Sequence, residues 1–180
     1  MDIKSRCEIS DDLEIKKYGD SVLETPCAKV TDFGSARLRT LVIDMFETMW
    51  ANKGVGLAAP QVGELLQLTV IDTSAGEKAD ERLVLINPEI LSLEGQQLSE
   101  EGCLSIPGFR EDVRRAMVAK VRAFNVEGKE FEVTGEELLA RAFQHEIDHL
   151  NGILFLKHLS PLKRDLIRRK ISKLVKAGEW

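Results

Sequence analysis

The chain is poor in cysteine and proline, and it lacks any long apolar run. Its three cysteines, Cys7, Cys27 and Cys103, are an odd and sparse set among 180 residues. Such a set argues against a disulfide framework and favours free thiols or metal ligation. Residues 1–12 are polar and do not form the charged start and apolar core of a secretion signal. We therefore predict a cytoplasmic protein with no membrane segment.

No internal repeat, low-complexity tract or linker rich in proline and glycine divides the chain. Apolar residues make up 43% and charged residues 31% of the sequence, as in an ordinary globular protein. A chain of this length can bury about 70% of the surface that it exposes when unfolded, so one core is sufficient. We predict a single domain over residues 1–180.

Two amphipathic segments predict helices near the ends of the chain. Apolar residues at helical spacing predict a first helix over residues 32–52, capped by Thr31 or Asp32. Ser160 followed by Pro161 predicts the start of a C-terminal helix over residues 161–177, which is basic. Between them, short β-rich runs separated by turn residues predict strands at residues 68–72, 83–87, 117–124 and 130–133.

A third helix is predicted after these strands. Thr134 to Glu137 fits a capping box, so we expect the helix to run from there to Asn151, with Gly152 as its exit. The order of elements predicts an α+β fold. In it, mostly antiparallel strands pack around this central helix, flanked by the N-terminal and the C-terminal helix.

The predicted central helix contains the pattern H-E-x-x-H. His145 and His149 share one helix face, about 5 to 6 Å apart at Cβ, so both rings can bind one cation while Glu146 lies beside its water. They are two of three histidines in the chain, and the rest of that face is apolar. Two buried imidazoles without a ligand would be costly, so packed core histidines are the weaker alternative. The pattern predicts metal-assisted hydrolysis.

The third ligand is sought upstream, because the only downstream candidate that remains is Asp165, a weak one inside the basic helix. The extended H-E-x-x-H-x-x-G-x-x-H pattern ends on Phe155, which cannot bind metal, and Glu179 is next to the last residue. Cys103 lies in a segment flanked by glycine and proline, and its thiolate would complete a Cys-His-His site with one open position. The alternatives for Cys103 are a small buried apolar residue and a nucleophile.

Residues 54–63 form a glycine-containing loop. Its start fits G-x-G-x-x-A, but a helix precedes it and Pro60 interrupts any helix after it, so we reject a nucleotide cofactor. The loop instead offers backbone groups to an extended ligand, and the Gln61 amide is able to donate to a developing oxyanion. The alternative is a tight packing turn.

Residues 54–63, 101–108 and 144–152 together resemble the three signature motifs of the peptide deformylase family, in order and in content. The resemblance extends over nearly the whole chain, with departures at Ser21 and Glu24 outside the chemical motifs. It implies removal of the formyl group from the N-terminal formylmethionine of nascent polypeptides.

The resemblance also implies a role for each matching residue. Cys103, His145 and His149 would bind the metal, and Glu146 would act as general acid and base. Gln61 and the Leu104 amide would form the oxyanion site. The substrate cleft and the methionine pocket would be lined by Val55, Gly56, Glu101, Gly102, Arg110, Leu138, Arg141 and Ala142.

The identity of the metal follows from two arguments that differ. Mixed thiolate and imidazole ligation favours zinc on coordination grounds. The resemblance implies one divalent ion that is Fe(II) in the cell, with zinc, nickel or cobalt as substitutes.

The net charge of −5 is unevenly distributed. Residues 157–180 carry eight Lys or Arg against Asp165 and Glu179, giving +6, so the preceding residues carry −11. A solvated helix face is the simplest interpretation. The sharper hypothesis is that this basic helix docks on the ribosome, as the cotranslational substrate implied by the resemblance suggests.

Two other functions account for part of these features. An H-E-x-x-H metallo-endopeptidase would use the same helix, but its downstream ligand is missing. A non-catalytic metal-stabilised module would have a closed fourth coordination position.

Overall fold

A computed structural model describes residues 13–180. Cys7 and the polar segment 1–12, which we predicted to contain no secretion signal, lie outside the described residues. The described part contains three α-helices, and none of its helices is long and apolar enough to cross a membrane. The helices are α1 (Ala36–Ala51), α2 (Glu137–Leu150) and α3 (Pro161–Ala177).

Seven strands form two sheets in the described part of the chain. They are β1 (Gly56–Ala58), β2 (Leu68–Ile71), β3 (Leu83–Glu94), β4 (Gln97–Gly102), β5 (Arg110–Arg115), β6 (Val118–Phe124) and β7 (Glu130–Glu136). The larger sheet has the order β1-β2-β3-β6-β7, and β4 pairs with β5 separately. Every strand pair is antiparallel. The predicted α+β fold with mostly antiparallel strands is confirmed.

Helix α1 begins later than predicted. Gly34 has a φ of +72°, so the backbone is in the left-handed region directly before the helix and a start at Asp32 is wrong. Ser35 is the cap, and its Oγ accepts the Leu38 N–H at 3.3 Å. The buried face of the helix packs on β1 and β2 through Leu38, Val42, Met45, Phe46 and Met49.

The capping box predicted at Thr134 is wrong. Thr134 pairs with Lys120 in the sheet, and β7 continues to Glu136, which precedes the helix without a side-chain cap. Cross-strand pairing along the whole of β6 outweighs a local hydroxyl-to-amide bond. The helix ends at Leu150, one residue before the predicted Asn151, and Gly152 follows with a φ of +70°.

Three strands were not predicted. Strand β1 is short and lies in the glycine-containing loop, while β4 and β5 read QLSEEG and REDVRR, which lack the β-branched and aromatic residues typical of strands. Strand β3 also continues past the predicted end at Asn87. The pairing of β3 with β6 is irregular between Ile86 and Glu89. Asn87 lies in this irregular stretch, and its side chain holds it in place by accepting from Val30 N–H and donating to Val30 O.

Two apolar clusters hold the elements that surround the candidate site. Phe143 and Ile147 of α2 pack against the large sheet. In the other cluster, Ile167 and Ile171 of α3 pack with Ile106 from the segment that follows β4. The start of α3 is as predicted, with Pro161 in the first turn and Ser160 Oγ accepting Lys163 N–H. The segment after β4 is therefore packed against α3.

Gly152→Ala should destabilise the protein strongly. Its φ is positive, and an added Cβ would lie 2.7 Å from the backbone carbonyl of Glu24. We expect the free energy of unfolding in urea to fall by about 2 to 4 kcal/mol. Gly178→Ala is the matched control, because Gly178 has a φ of +72° but no atom within 4 Å of a Cβ; it should cost about 1 kcal/mol. Equal losses in the two variants would contradict the steric argument.

Candidate metal centre

One ligand atom from each of Cys103, His145 and His149 lies within 4.8 Å of the other two. His149 Nε2 is 3.2 Å from Cys103 Sγ and 3.2 Å from His145 Nε2. Both imidazoles are buried, whereas Cys103 is partly exposed. The ligand atoms of the three residues that the sequence proposed as metal ligands are therefore in one place.

The two elements that carry these ligands are positioned differently. The histidines face the same way because they are four residues apart on α2. Cys103 follows β4 directly, in a tight turn closed by Ile106 N–H donating to Cys103 O at 2.9 Å. Ser105 O accepts Tyr18 N–H at 2.8 Å, which fixes the far side of the same turn.

The residues present fit a transition-metal cation. His145 Nδ1 is 2.5 Å from Glu101 Oε1, so Nδ1 is the donor and Nε2 of a neutral ring keeps its lone pair. The second imidazole and the soft Cys103 sulfur converge on the same space. Thiolate plus imidazole is the donor set that zinc and iron accept.

The site favours positive charge. Burial alone would lower the pKa of His145, but hydrogen bonds with Cys103 and Glu101 outweigh it and raise that pKa well above its usual value. Burial lowers the pKa of His149 well below its usual value, and the charge on His145 adds to the effect. One positive charge is thus stabilised and a second is opposed. A single cation in place of the proton would use the same stabilisation.

Glu146 is buried beside the histidines and lacks a normal set of partners. Its Oε2 accepts no hydrogen bond from any described residue. Burial is the main reason why the pKa of this carboxyl rises to about 7. Gly56 of β1 faces it so closely that a Cβ would overlap the carboxylate. A carboxyl group that titrates near neutral pH is suited to both accepting and returning a proton.

Two hydrogen-bond donors lie next to Cys103. Gln61 Oε1 accepts Ala58 N–H at 2.9 Å, which directs its Nε2 towards Cys103 Sγ at 3.5 Å and Ser105 Oγ at 3.2 Å. The second donor is the backbone N–H of Leu104, the residue that follows Cys103 and also borders the cleft. The loop expected to offer an amide to a ligand therefore does bring that amide to the centre.

These groups border a cleft of about 600 Å³. The residues expected to line a substrate cleft or side-chain pocket all border it: Val55, Gly56, Glu101, Gly102, Arg110, Leu138, Arg141 and Ala142. Lys53, Glu100, Ile106 and Phe109 border it too and were not predicted. Ile106 lies within the motif at residues 101–108, and the other three lie one residue outside a motif; that proximity was the available signal.

A buried ionic network that sequence reasoning missed supports the centre from behind. Arg115 donates to both Glu101 oxygens, at 2.8 and 3.1 Å, and to Asp148 Oδ2 at 2.6 Å. Burial opposes ionisation of Glu101, but the hydrogen bonds from His145 and Arg115 hold its pKa well below the usual range. Arg115 lies outside every motif, so no local pattern marked it.

Comparison with known proteins gives one consistent result. Residues 12–165 match the family model described as polypeptide deformylase. A peptide deformylase of Acidobacterium capsulatum is 58% identical over 166 residues, covering 92% of this chain and 97% of that protein. A peptide deformylase of Thermodesulfovibrio yellowstonii is 51% identical, covering 88% and 95%. The crystal structure of a peptide deformylase from Legionella pneumophila is 48% identical with a TM-score of 0.85, covering 91% and 95%.

Cys103→Ala should lower metal occupancy, because it removes the one sulfur ligand of the cluster. We expect affinity for zinc to fall by at least about tenfold, measured by elemental analysis after dialysis against a weak chelator. Cys27→Ala is the control, since Cys27 is buried in a separate cluster with Ala58 and Leu150. Full occupancy in the Cys103 variant would remove this residue from the ligand set.

Proposed function

This chain belongs to the peptide deformylase family, and as a metal-dependent hydrolase it removes the N-terminal formyl group from newly made polypeptides; we propose that the residues of the metal centre carry out this reaction. The observation that supports the assignment is the convergence of Cys103 Sγ with the two Nε2 atoms, beside the buried carboxyl of Glu146. We place the reaction in the cytoplasm, where nascent chains are made.

Cys103, His145 and His149 hold one divalent cation in this proposal. When bound, such a cation lowers the pKa of water to about 7 and polarises the formyl carbonyl. Three protein ligands leave a coordination position open, as in catalytic sites. Fe(II) is our choice for the ion in the cell, with zinc, nickel and cobalt as substitutes. Activity that decays in air and is preserved by anaerobic purification would support iron.

Glu146 moves the proton. With a pKa of about 7, it is able to take a proton from the attacking water and give it to the leaving amine at neutral pH. Its position depends on Gly56, since any side chain there would displace the carboxylate. The closeness of β1 to α2 therefore serves this proton transfer.

Gln61 and Leu104 stabilise the formyl oxygen as it becomes negative. Gln61 Nε2 is directed towards Cys103 by the bond between its Oε1 and Ala58 N–H, and Leu104 is the residue that follows Cys103. A donor fixed in advance costs no reorganisation during the reaction, and each one is typically worth roughly 3 to 4 kcal/mol.

The peptide lies in the cleft of about 600 Å³. We propose that Val55, Leu138, Arg141 and Ala142 border the methionine side chain. Gly56, Gly102, Arg110 and the backbone of Glu101 border the peptide itself. Leu138 is 49% exposed, so a bound methionine side chain would bury apolar surface that is open to solvent.

Glu146→Gln tests the proton-transfer role. The variant should keep the metal and lose about 10²- to 10⁴-fold in kcat, measured as formate released from formyl-Met-Ala-Ser. The control is Glu127→Gln, because Glu127 is an exposed partner of Arg39. Turnover close to that of the parent protein would refute the role of Glu146. Cleavage of internal bonds would favour an endopeptidase instead, and a metal-loaded parent protein that releases no formate would favour a non-catalytic module.

Helix α3 offers a surface for the ribosome, which is the second partner that we propose. Its outer face is positively charged, and Arg169, Lys170 and Lys173 are exposed there. The polypeptides on which the enzyme acts emerge from the ribosome, whose RNA is anionic, so long-range attraction would increase the rate of encounter.

Reversing the charge of two of these side chains tests the docking surface. Arg169→Glu with Lys173→Glu should weaken cosedimentation with ribosomes at low salt and leave formate release from a tripeptide unchanged. The control is Lys120→Glu with Lys129→Glu, on β6 and the turn after it, because it makes the same change of net charge away from α3. It should cosediment like the parent protein. Unaltered cosedimentation of the α3 variant would dismiss the docking surface.

A further inference from the structure

The carboxylate of Glu101 is saturated with hydrogen bonds. Oε1 accepts from His145 Nδ1 at 2.5 Å and from Arg115 Nη2 at 2.8 Å. Oε2 accepts from Arg115 Nε at 3.1 Å and from Arg141 Nη1 at 2.9 Å. A carboxylate has about four lone-pair positions, so none is left for a substrate. Glu101 therefore acts on the site through its partners.

Arg141 is the partner whose place was not expected. The family resemblance placed it beside the methionine side chain, and it does border the cleft, but the residue is only 5% exposed and its guanidinium donates to the network. In addition to its bond to Glu101, Arg141 makes two others. Its Nη1 donates to Val113 O at 3.2 Å, and its Nη2 donates to Gln97 Oε1 at 3.4 Å. The guanidinium thus connects α2 to both ends of β4 and to β5.

These contacts lie between the two elements that carry the metal ligands. Arg141 is one helical turn before His145 on α2, and Glu101 is two residues before Cys103. The distance between the cysteine and the histidine pair depends on how closely β4 approaches α2. We propose that Arg141 is a positioning residue for the metal site, which holds Glu101 on His145 and keeps the Cys103 segment in place.

Arg115 alone does not provide the same constraint. The Arg115 guanidinium donates to both oxygens of Glu101, and its Nη1 also donates to Asp148 of α2 at 2.6 Å. However, the Asp148 side chain is partly exposed and also contacts His158, whereas the side chains of Arg141 and Glu101 are both buried. Loss of Arg141 would leave one position of Glu101 Oε2 unfilled and Gln97 Oε1 without this donor. The remaining bond from Gln97 to α2, from its Nε2 to Glu137 O at 2.8 Å, lies at the first residue of the helix, far from the metal ligands. The ligands would remain present but less firmly oriented.

The test measures how long the protein retains its metal, without any substrate. Arg141→Met keeps the length and the apolar stem that borders the cleft but removes the guanidinium. We expect the cobalt-loaded variant to lose its ion to excess chelator about tenfold faster than the parent protein, at the low end of the effect for groups that orient a ligand. The visible absorption of bound cobalt should also shift, because ligand geometry changes. Arg141→Lys, which keeps the charge, should give an intermediate rate.

Arg122→Met is the matched control, since Arg122 forms a surface ion pair with Glu89 on another part of the sheet. It should retain cobalt like the parent protein. Equal rates of metal loss and identical cobalt spectra in the parent protein and both Arg141 variants would overturn the proposal, even if KM for formyl-methionyl peptides changed. This inference rests on the proposed metal site. Because metal retention is measured independently of formate release, failure of the positioning role of Arg141 is distinguishable from failure of the proposed function.

Discussion

The close approach of strand β4 to helix α2 is the contact on which the site depends. One ligand follows the strand and two lie on the helix, so the ligand set exists only while these elements stay together. A carboxylate on the strand contacts two guanidiniums and an imidazole, and all four side chains are buried. Such a network is costly to bury, and removing any one partner leaves an uncompensated charge. Its value here is in geometry more than in stability.

Two buried carboxyl groups, those of Glu101 and Glu146, have pKa values shifted in opposite directions because their neighbours differ. Glu101 is surrounded by donors, which keep it ionised and make it a fixed anchor. Glu146 has an oxygen without a described partner and is desolvated, so its pKa rises to about 7. Separation of two carboxyl pKa values by environment is a common way to divide structural and proton-transfer roles. The same helix and strand therefore provide both a rigid support and a titrating group.

Much of the site was predictable because its chemistry is local in sequence. Two histidines at helical spacing with a carboxylate between them require only a helix to become a metal-binding face. Cys103 and Gln61 were candidates from glycine-containing segments, with their roles implied by the family resemblance; in the structure Cys103 Sγ contacts His149 and Gln61 Nε2 contacts Cys103. The α+β class followed from helices that flank a block of strands. Arg115 and the inward turn of Arg141 were not predictable, because their partners lie 14 and 40 residues away in sequence. The strand pair β4 and β5 was missed because its charged residues do not resemble strands, and the capping box at Thr134 failed because sheet pairing extended through it.

X-ray absorption at the metal edge of the zinc-loaded protein tests the central claim most directly. If the strand and the helix meet around one ion, the spectrum will show one sulfur at about 2.3 Å and two imidazole nitrogens at about 2.0 to 2.1 Å, with a light atom from solvent. A coordination shell without sulfur, or one closed by a fourth protein side chain, would contradict the account.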